Sequence, residues 1–499
     1  MKRLAFTFAF VALWVCAFAQ PNVIVIMADQ LRYDVLGDMT PNIMSLQRDG
    51  VMFDKAYCAS PICVPSRASF FTGTYPNTNG SLINGWEDED ASFGLVRKGI
   101  QNLYTAMEGR WDSWHVGKQH LLTEEGVDGT SSKTKWITQK NYNEWLKTRG
   151  ARRPGGKQFK ASVPEQVSGK RTHTRDYSIP VVGRYEDGVE NFLDRYIGNE
   201  CVRAIRERDK KKPLLLNAMF LAPHPPFDIP EPYFSVFDKS SIKVPSNVGE
   251  WYDGQSPLQL YNITGFLGTR YSRKEWTEVW AKYLGLVKLL DDEVGRIINT
   301  LKEEGLYDNS IIVFTADHGE MLGSHSLWQK MCMYEESARV PLIIKFPKNG
   351  PRKGHKVSTP VSLVDVYPTL LESTGQRLPS GIDGRSLIPL VTGKGVEHRP
   401  VFIQYDGNGS LGNFQRCVVD GDFKLIVDIF KDETFLELYN LAKDPQETTN
   451  LALDKTYGDR VRELLRLLGQ HMDKTGDRLR IQADQYERFL SDYNSIVKK

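Results

Sequence analysis

The stretch Asn22-Val23-Ile24-Val25-Ile26-Met27-Ala28-Asp29-Gln30 decides the fold. It is apolar and largely β-branched from Val23 to Ala28, with no polar position to face water. Such a strand belongs in a parallel sheet covered on both faces. The pattern returns at Ile311-Ile312-Val313-Phe314-Thr315-Ala316, ending at Asp317-His318-Gly319, and again from Leu214 to Leu221, ending at Ala222-Pro223-His224. Ahead of the Ile311 run, Leu286, Leu289, Leu290, Val294, Ile297, Ile298 and Leu301 recur at helical spacing. Buried strands with ligand-type residues just past their carboxyl ends predict an open sheet with a binding crevice at that edge. The expected fold class is α/β, a large mixed, mostly parallel sheet sandwiched by helices.

Outward from these strands the texture changes near residue 400. Pro400 to Tyr405, Arg416 to Val419, Lys424 to Val427 and Phe435 to Tyr439 alternate as antiparallel strands do, and Tyr457 to Met472 reads as an amphipathic helix. This predicts a larger α/β domain over 20–390 and a smaller C-terminal α+β subdomain over 391–499. At the other end, Lys2 and Arg3 precede an apolar run from Leu4 to Ala19, shorter than the ~20 residues of a spanning helix. Ala17-Phe18-Ala19 fits a cleavage site, so residues 1–19 read as a signal peptide. A retained membrane anchor and a lipid anchor at Cys16 are the alternatives. The first lacks a polar flank to stop the run, and bulky Val15 precedes the cysteine. The expected product is exported, periplasmic or secreted (lysosomal or extracellular in a eukaryote), with no stable membrane span.

Composition narrows the class. Apolar residues at 40% and charged residues at 25% exclude a disordered chain. Lys plus Arg number 64 against 62 Asp plus Glu, a net charge of +2, which argues against nucleic acid as partner. Six cysteines in 499 residues are too few for a disulfide scaffold. Cys58, Cys201, Cys332 and Cys417 leave their pairing open. Asn262-Ile263-Thr264 and Asn408-Gly409-Ser410 are glycosylation sequons that matter only in a eukaryotic secretory pathway.

The most specific segment is Cys63-Val64-Pro65-Ser66-Arg67-Ala68-Ser69-Phe70-Phe71-Thr72-Gly73. It places a thiol at a turn that opens a helix, where free N–H groups and the positive dipole end receive anions. Arg67 adds a planar fork suited to an oxyanion. A buried structural cysteine is the bland alternative, and the length of the motif weighs against it. Asp29, Gln30, Asp317 and His318 form a second set. Each pair follows a buried strand, so sheet geometry brings the pairs together across the chain. Two carboxylates, an amide oxygen and an imidazole make a mainly oxygen shell, suited to a hard divalent cation.

Taken in order, these blocks resemble the formylglycine-dependent sulfatases of the alkaline phosphatase superfamily, from Asn22 to about Leu451. Pro223-His224-Pro225-Pro226-Phe227 and the closing Leu438-Tyr439-Asn440-Leu441-Ala442-Lys443-Asp444-Pro445 belong to the same match. The resemblance implies that a formylglycine-generating maturase oxidises Cys63 to 3-oxoalanine, whose hydrate supplies the nucleophilic oxygen. It implies Ca²⁺ held by Asp29, Gln30, Asp317, His318 and the modified residue 63, with Mg²⁺ and Mn²⁺ left open. Many relatives carry Asp where Gln30 stands, so weaker metal affinity is expected.

The resemblance assigns further roles. Val116-Gly117-Lys118-Gln119-His120-Leu121 resembles a Gly-Lys-x-His block. Lys118 would bring charge to the sulfate and the nucleophile, and His120 would hold or deprotonate the hydrated aldehyde. His224 matches a proton donor to the leaving alcohol. Lys330, in Leu327-Trp328-Gln329-Lys330, matches a lysine on sulfate oxygens, and His325, in Gly323-Ser324-His325-Ser326, a substrate contact. Glu335 to Pro341 follows the family pattern and is read as architecture. The implied mechanism is attack of one hydrate hydroxyl on sulfur, with the metal, Arg67, Lys118 and Lys330 stabilising the oxygens. The second hydroxyl then collapses to the aldehyde and expels sulfate. Unmodified Cys63 is expected to be nearly inactive.

For the substrate, Lys147, Arg149, Arg152, Arg153, Lys157, Lys160, Lys170, Arg171 and Arg175 stand against one acid, Glu165, between 147 and 175. One reading is a flexible basic flap that draws a polyanionic sugar to the crevice; the other is a solvated, partly disordered loop. Trp86, Trp111, Trp114 and Trp328 either stack on sugar rings or pack in the core. The expectation is an exported enzyme acting on sulfated oligosaccharides, glycosaminoglycan or algal, with a uronate 2-O-sulfatase the nearest type. A phosphonate or phosphate diester hydrolase of the same superfamily and a choline-sulfatase-like enzyme are the rivals, both disfavoured by the export signal. A catalytically idle binding protein is a third reading, opposed by the retention of Cys63, the metal set and Lys330.

Overall fold

Parallel pairing about one central strand organises the chain. The computed structural model describes residues 20–128, 132–167, 170–351, 353–394, 398–482 and 484–497. β1 (Asn22–Asp29), β2 (Val51–Tyr57), β3 (Asp112–Gly117), β4 (Lys135–Thr138), β5 (Leu214–Pro223), β6 (Ser310–Ala316), β7 (Arg339–Lys345) and β8 (His355–Val357) form the large sheet. Their spatial order is β8-β2-β7-β6-β1-β5-β3-β4, and Val361–Ser362 adds a short pairing to β2. β1 runs parallel to both β5 and β6, and β7 alone is reversed, antiparallel to β6 and β2. Every residue of β1 and of β6 is buried, which is why both read as unbroken apolar runs. Each such Val or Ile contributes about 1.5–3 kcal/mol of burial. The mostly parallel α/β sheet is the expected one.

The helical spacing before β6 belongs to α3 (Arg273–Glu303), after α1 (Cys63–Thr72) and α2 (Leu193–Glu207). The start of α3 is fixed by a capping box: Ser272 Oγ accepts the Glu275 N–H, and Glu275 Oε2 accepts the Ser272 N–H at 2.8 Å. Its buried stripe runs from Trp276 through Tyr283, Leu290 and Ile297 to Leu301.

Near the C-terminus, β9 (Val401–Tyr405), β10 (Phe414–Asp420), β11 (Phe423–Phe430) and β12 (Glu433–Asn440) pair in sequence as an antiparallel sheet. Val418, Leu425, Leu436 and Leu438 on its outer face pack with α4 (Gly458–Thr475) and α5 (Gln485–Val497). Cys417, Val419, Ile426 and Tyr439 on the inner face join the core of the large sheet.

The structure decides several readings that the sequence leaves open. The basic stretch is built structure rather than an irregular flap: Lys160–Val167 and Arg171–Ser178 pair as an antiparallel hairpin. Acids distant in sequence meet part of its charge, as Arg171 pairs with Glu89, Arg175 with Glu87 and Arg152 with Asp228. Cys58, Cys63, Cys201, Cys332 and Cys417 are all buried free thiols, so no pairing exists among them. Both sequon asparagines, Asn262 and Asn408, are buried, and the Asn262 amide donates to the Met331 carbonyl at 3.1 Å. Trp111, Trp114 and Trp328 are core residues, whereas Trp86 is 45% exposed. The signal peptide expected over 1–19 lies outside the described residues. Among the described residues no helix is long and apolar enough to cross a membrane.

Candidate active site

The register of two parallel strands builds the centre. Asn22 pairs with Ser310 and Ala28 with Ala316, so the next residues, Asp29 and Asp317, emerge side by side at the carboxyl edge. The Gln30 N–H and the His318 N–H both donate to Asp317 Oδ1, at 3.1 and 3.0 Å. His318 Nδ1 lies 3.0 Å from the Gly319 carbonyl, a contact that places the ring proton there and leaves Nε2 facing the cluster.

α1 brings the third component. Cys63 is its first residue and Arg67 stands four positions on, so both share one face. Cys63 Sγ is 3.2 Å from His318 Nε2, 3.5 Å from Lys118 Nζ and 3.9 Å from Asp29 Oδ1. Ligand atoms of Asp29, Cys63, Asp317 and His318 all lie within 4.8 Å of one another, and all four residues are buried. Convergent buried carboxylates beside an imidazole whose Nε2 is turned inward fit a divalent cation. Not every N–H of the helix N-terminus is open to an anion, because Val64 donates to Asn84 Oδ1 at 3.2 Å.

Cations balance the carboxylates. Arg67 donates from Nε to Asp317 at 2.9 Å and from Nη2 to Asp29 at 3.2 Å, so its fork clamps the two acids. Lys118 donates to Asp29 Oδ2. Burial and the Cys63 sulfur push the Asp29 carboxyl up, but Lys118, His224 and Arg67 outweigh them and hold it well below the carboxylate range. Burial likewise raises the Cys63 thiol, and Lys118, Lys330 and His318 overcome it, favouring the thiolate. His120 reaches the same sulfur; burial and Lys118 hold its imidazole down.

A second arm carries His224 and Lys330. Lys330 Nζ donates to Gln30 Oε1 at 2.6 Å and lies 3.2 Å from His224 Nε2. His224 Nδ1 contacts the Pro225 carbonyl at 2.5 Å. Burial, then Lys330, lowers the His224 pKa. Gln30 therefore stands beside the metal set with its amide already engaged: its nitrogen donates to Glu320 and its oxygen accepts from Lys330.

Of the expected residues, His325 is placed elsewhere. Its ring stacks on Tyr334 at 4.0 Å, and it lies with Glu336 and Glu447, fully buried. A left-handed backbone at His325 and Ser326 turns this segment inward. Two residues not singled out from sequence stand next to the centre. Glu320 fixes the Gln30 amide, and its place in Asp317-His318-Gly319-Glu320 was the available signal. Asn84 caps α1 and donates to Asn408 at 2.7 Å, a link across the fold that no local pattern announces.

Comparison with known proteins agrees with this geometry. The sulfatase family profile matches residues 21–376, and that of the N-sulphoglucosamine sulphohydrolase C-terminal region matches 323–474. An arylsulfatase of Clostridium perfringens is 28% identical over 481 residues, covering 91% of this chain and 95% of its own. An N-acetylglucosamine-6-O-sulfatase of Bacteroides thetaiotaomicron is 26% identical over 530 residues, covering 90% and 86%. The crystal structure of a phosphonate monoester hydrolase of Agrobacterium radiobacter superposes with a TM-score of 0.74 at 24% identity, covering 91% and 96%. With its catalytic sheet, its cysteine-led helix and most of its length matched, the chain belongs to the sulfatase family of sulfuric ester hydrolases.

Proposed function

We propose that the protein is an exported sulfatase that removes sulfate from sulfated carbohydrate fragments, using formylglycine made from Cys63 and a divalent metal, Ca²⁺. The convergence of Asp29, Asp317 and His318 on Cys63 carries this reading. The Cys63 sulfur stands where the oxygens of the modified residue would be. When present, the metal supplies a Lewis acid and the formylglycine hydrate an oxygen nucleophile. The Asp29 and Asp317 carboxylates and His318 Nε2 are the protein groups that would hold the cation, joined by the Gln30 amide oxygen through the lone pair that Lys330 leaves free.

The rest follows from the chain's own side chains. Arg67 keeps the two carboxylates at fixed separation and lowers their charge repulsion. Lys118 and Lys330 flank position 63 and set positive charge where the sulfate oxygens would lie. His120 reaches the nucleophile position and can take its proton. His224 anchors Nδ1 on Pro225, so Nε2 is the atom that takes up a proton and passes it to the leaving oxygen. Carbohydrate as the carrier is supported by the activity named for the Bacteroides relative. Uronate 2-O-sulfate is the first ester position to test, and residues 1–19 the expected export signal.

The test joins a mass measurement of the peptide containing residue 63 to turnover of an aryl sulfate and an aryl phosphonate ester. The expected result is cysteine-to-formylglycine conversion, sulfate release, and near-background turnover for Cys63→Ala with the fold retained. Fully converted protein that cleaves the phosphonate and no sulfate ester overturns the reading.

A further inference from the structure

The centre opens into a cavity of about 510 Å³ lined by Trp86, Lys160, Arg175, His224 and Lys330. A second cavity, of about 490 Å³, is lined by Arg153, Lys157, Phe159 and Pro226. Lys160, Asp176 and Ser178 line both, so the two form one groove running away from His224 and Lys330. Each volume falls within the ~300–1,000 Å³ of ordinary ligand sites. The groove is longer than one sulfate-bearing sugar requires.

Charge along the groove is uneven. Some of the cations around it are answered by acids: Arg175 by Glu87, and Arg152 by Asp228 and Asp187. Arg153, Lys157 and Lys160 are exposed, line the second cavity (Lys160 the first as well), and form no ion pair with any described residue. Asp176 is the acid between them, and it accepts from Ser162 Oγ at 2.6 Å. Three unanswered cations beside one carboxylate leave a net positive wall. Trp86, with Arg175 5.4 Å over its ring, gives the near part an exposed aromatic surface suited to a sugar.

We propose that Arg153, Lys157 and Lys160 form a second anion subsite, which selects oligosaccharides bearing a carboxylate on a sugar neighbouring the one being desulfated. This rests on the sulfatase reading and adds a length and charge requirement to it. The subsite binds without taking part in the chemistry, so its effect falls on KM.

The test uses the full-length, formylglycine-bearing protein on three substrates: an aryl sulfate, heparan and chondroitin disaccharides sulfated on the hexosamine, and the same disaccharides with the neighbouring uronate carboxyl reduced to an alcohol. Arg153→Gln, Lys157→Gln, Lys160→Gln and the triple variant are compared with the parent. The parent is expected to favour each carboxylate-bearing disaccharide over its reduced counterpart. Each single variant should raise KM for it about two- to fivefold, as expected for exposed charge pairs. The triple variant should erase the preference, and Arg153→Gln and Lys157→Gln, at residues that do not line the first cavity, should leave kcat and aryl-sulfate turnover unchanged. A triple variant that keeps the preference, a parent that shows none, or turnover of aryl sulfate with no disaccharide cleaved overturns the subsite. Failure on every sulfate ester, aryl sulfate included, instead overturns the sulfatase reading itself.

Discussion

At the scale of single residues, Gln30 shows how much of the centre lies outside the ligand set. Its backbone is left-handed, φ 66°, and its amide is held from both ends, by Glu320 and Lys330. Glu320 is fully buried and also accepts the Leu322 N–H at 3.0 Å, so its carboxylate is itself fixed. An acceptor-only carboxylate dictates which end of the Gln30 amide faces it. Glu320→Gln keeps the shape but offers an NH₂ as well, so the amide loses its orientation. The divalent-cation concentration giving half-maximal aryl-sulfate turnover should then rise about tenfold, in the range typical of residues behind metal ligands. An unchanged cation requirement would show that Gln30 is not held for the metal. Asp29, Asp317, His318 and Cys63 were legible because each sits in a block with a reason of its own. Glu320 was not, because its role exists only through a neighbour distant in the chain.

Among the elements, α3 does more than cover the sheet. Tyr283, midway along its buried stripe, donates from its hydroxyl to the Gln30 carbonyl and accepts the Arg32 N–H, both at 2.9 Å. One phenol thus pins the backbone on both sides of the strained turn after β1. Tyr283→Phe leaves that carbonyl and that N–H unpartnered in the interior, a cost of about 1–3 kcal/mol. The expected outcome is a lowered unfolding temperature together with a drop in kcat for aryl sulfate. A loss of stability with kcat intact would make the contact purely structural. Periodicity revealed this helix because its stripe is long and regular. The hairpin at Lys160 to Ser178 escaped because exposed charges on both strands mask the alternation that marks a strand. Its ion pairs reach Glu87 and Glu89, more than eighty residues earlier in the chain, so the local charge excess overstates the free charge.

Over the whole molecule, the smaller sheet turns a polar face to the large one. Asp428 on β11 and Glu437 on β12 are fully buried there. Asp428 accepts from Ser256 Oγ at 2.8 Å, and Glu437 from Tyr334 at 2.6 Å and Tyr439 at 2.8 Å. Burial pushes both carboxyls up to about 7. A carboxyl protonated when folded but ionised when unfolded makes the folded chain the better proton binder. Its stabilisation is complete below about pH 4 and is lost as pH rises through about 7. Apparent unfolding temperature should therefore fall between pH 5 and 8 through these groups. Asp428→Asn, which keeps an acceptor for Ser256, should flatten that fall by a few degrees; an identical slope would exclude Asp428 as its source. The strands of this sheet were readable from their alternation. Their buried acids were not, because a charged residue on an alternating strand ordinarily faces water.

The ladder between β1 and β6 bears on how freely the chain can vary. Seven paired positions, not the covalent path between the strands, set the spacing of Asp29 and Asp317. Loops inserted into or trimmed from that path leave the pair adjacent, whereas a single residue added within either strand separates them. Even a cut in the exposed turn at Asp209, Lys210 and Lys211 divides the chain without touching a pairing of this ladder. The centre is inherited as a register, and two fragments that keep it keep the centre.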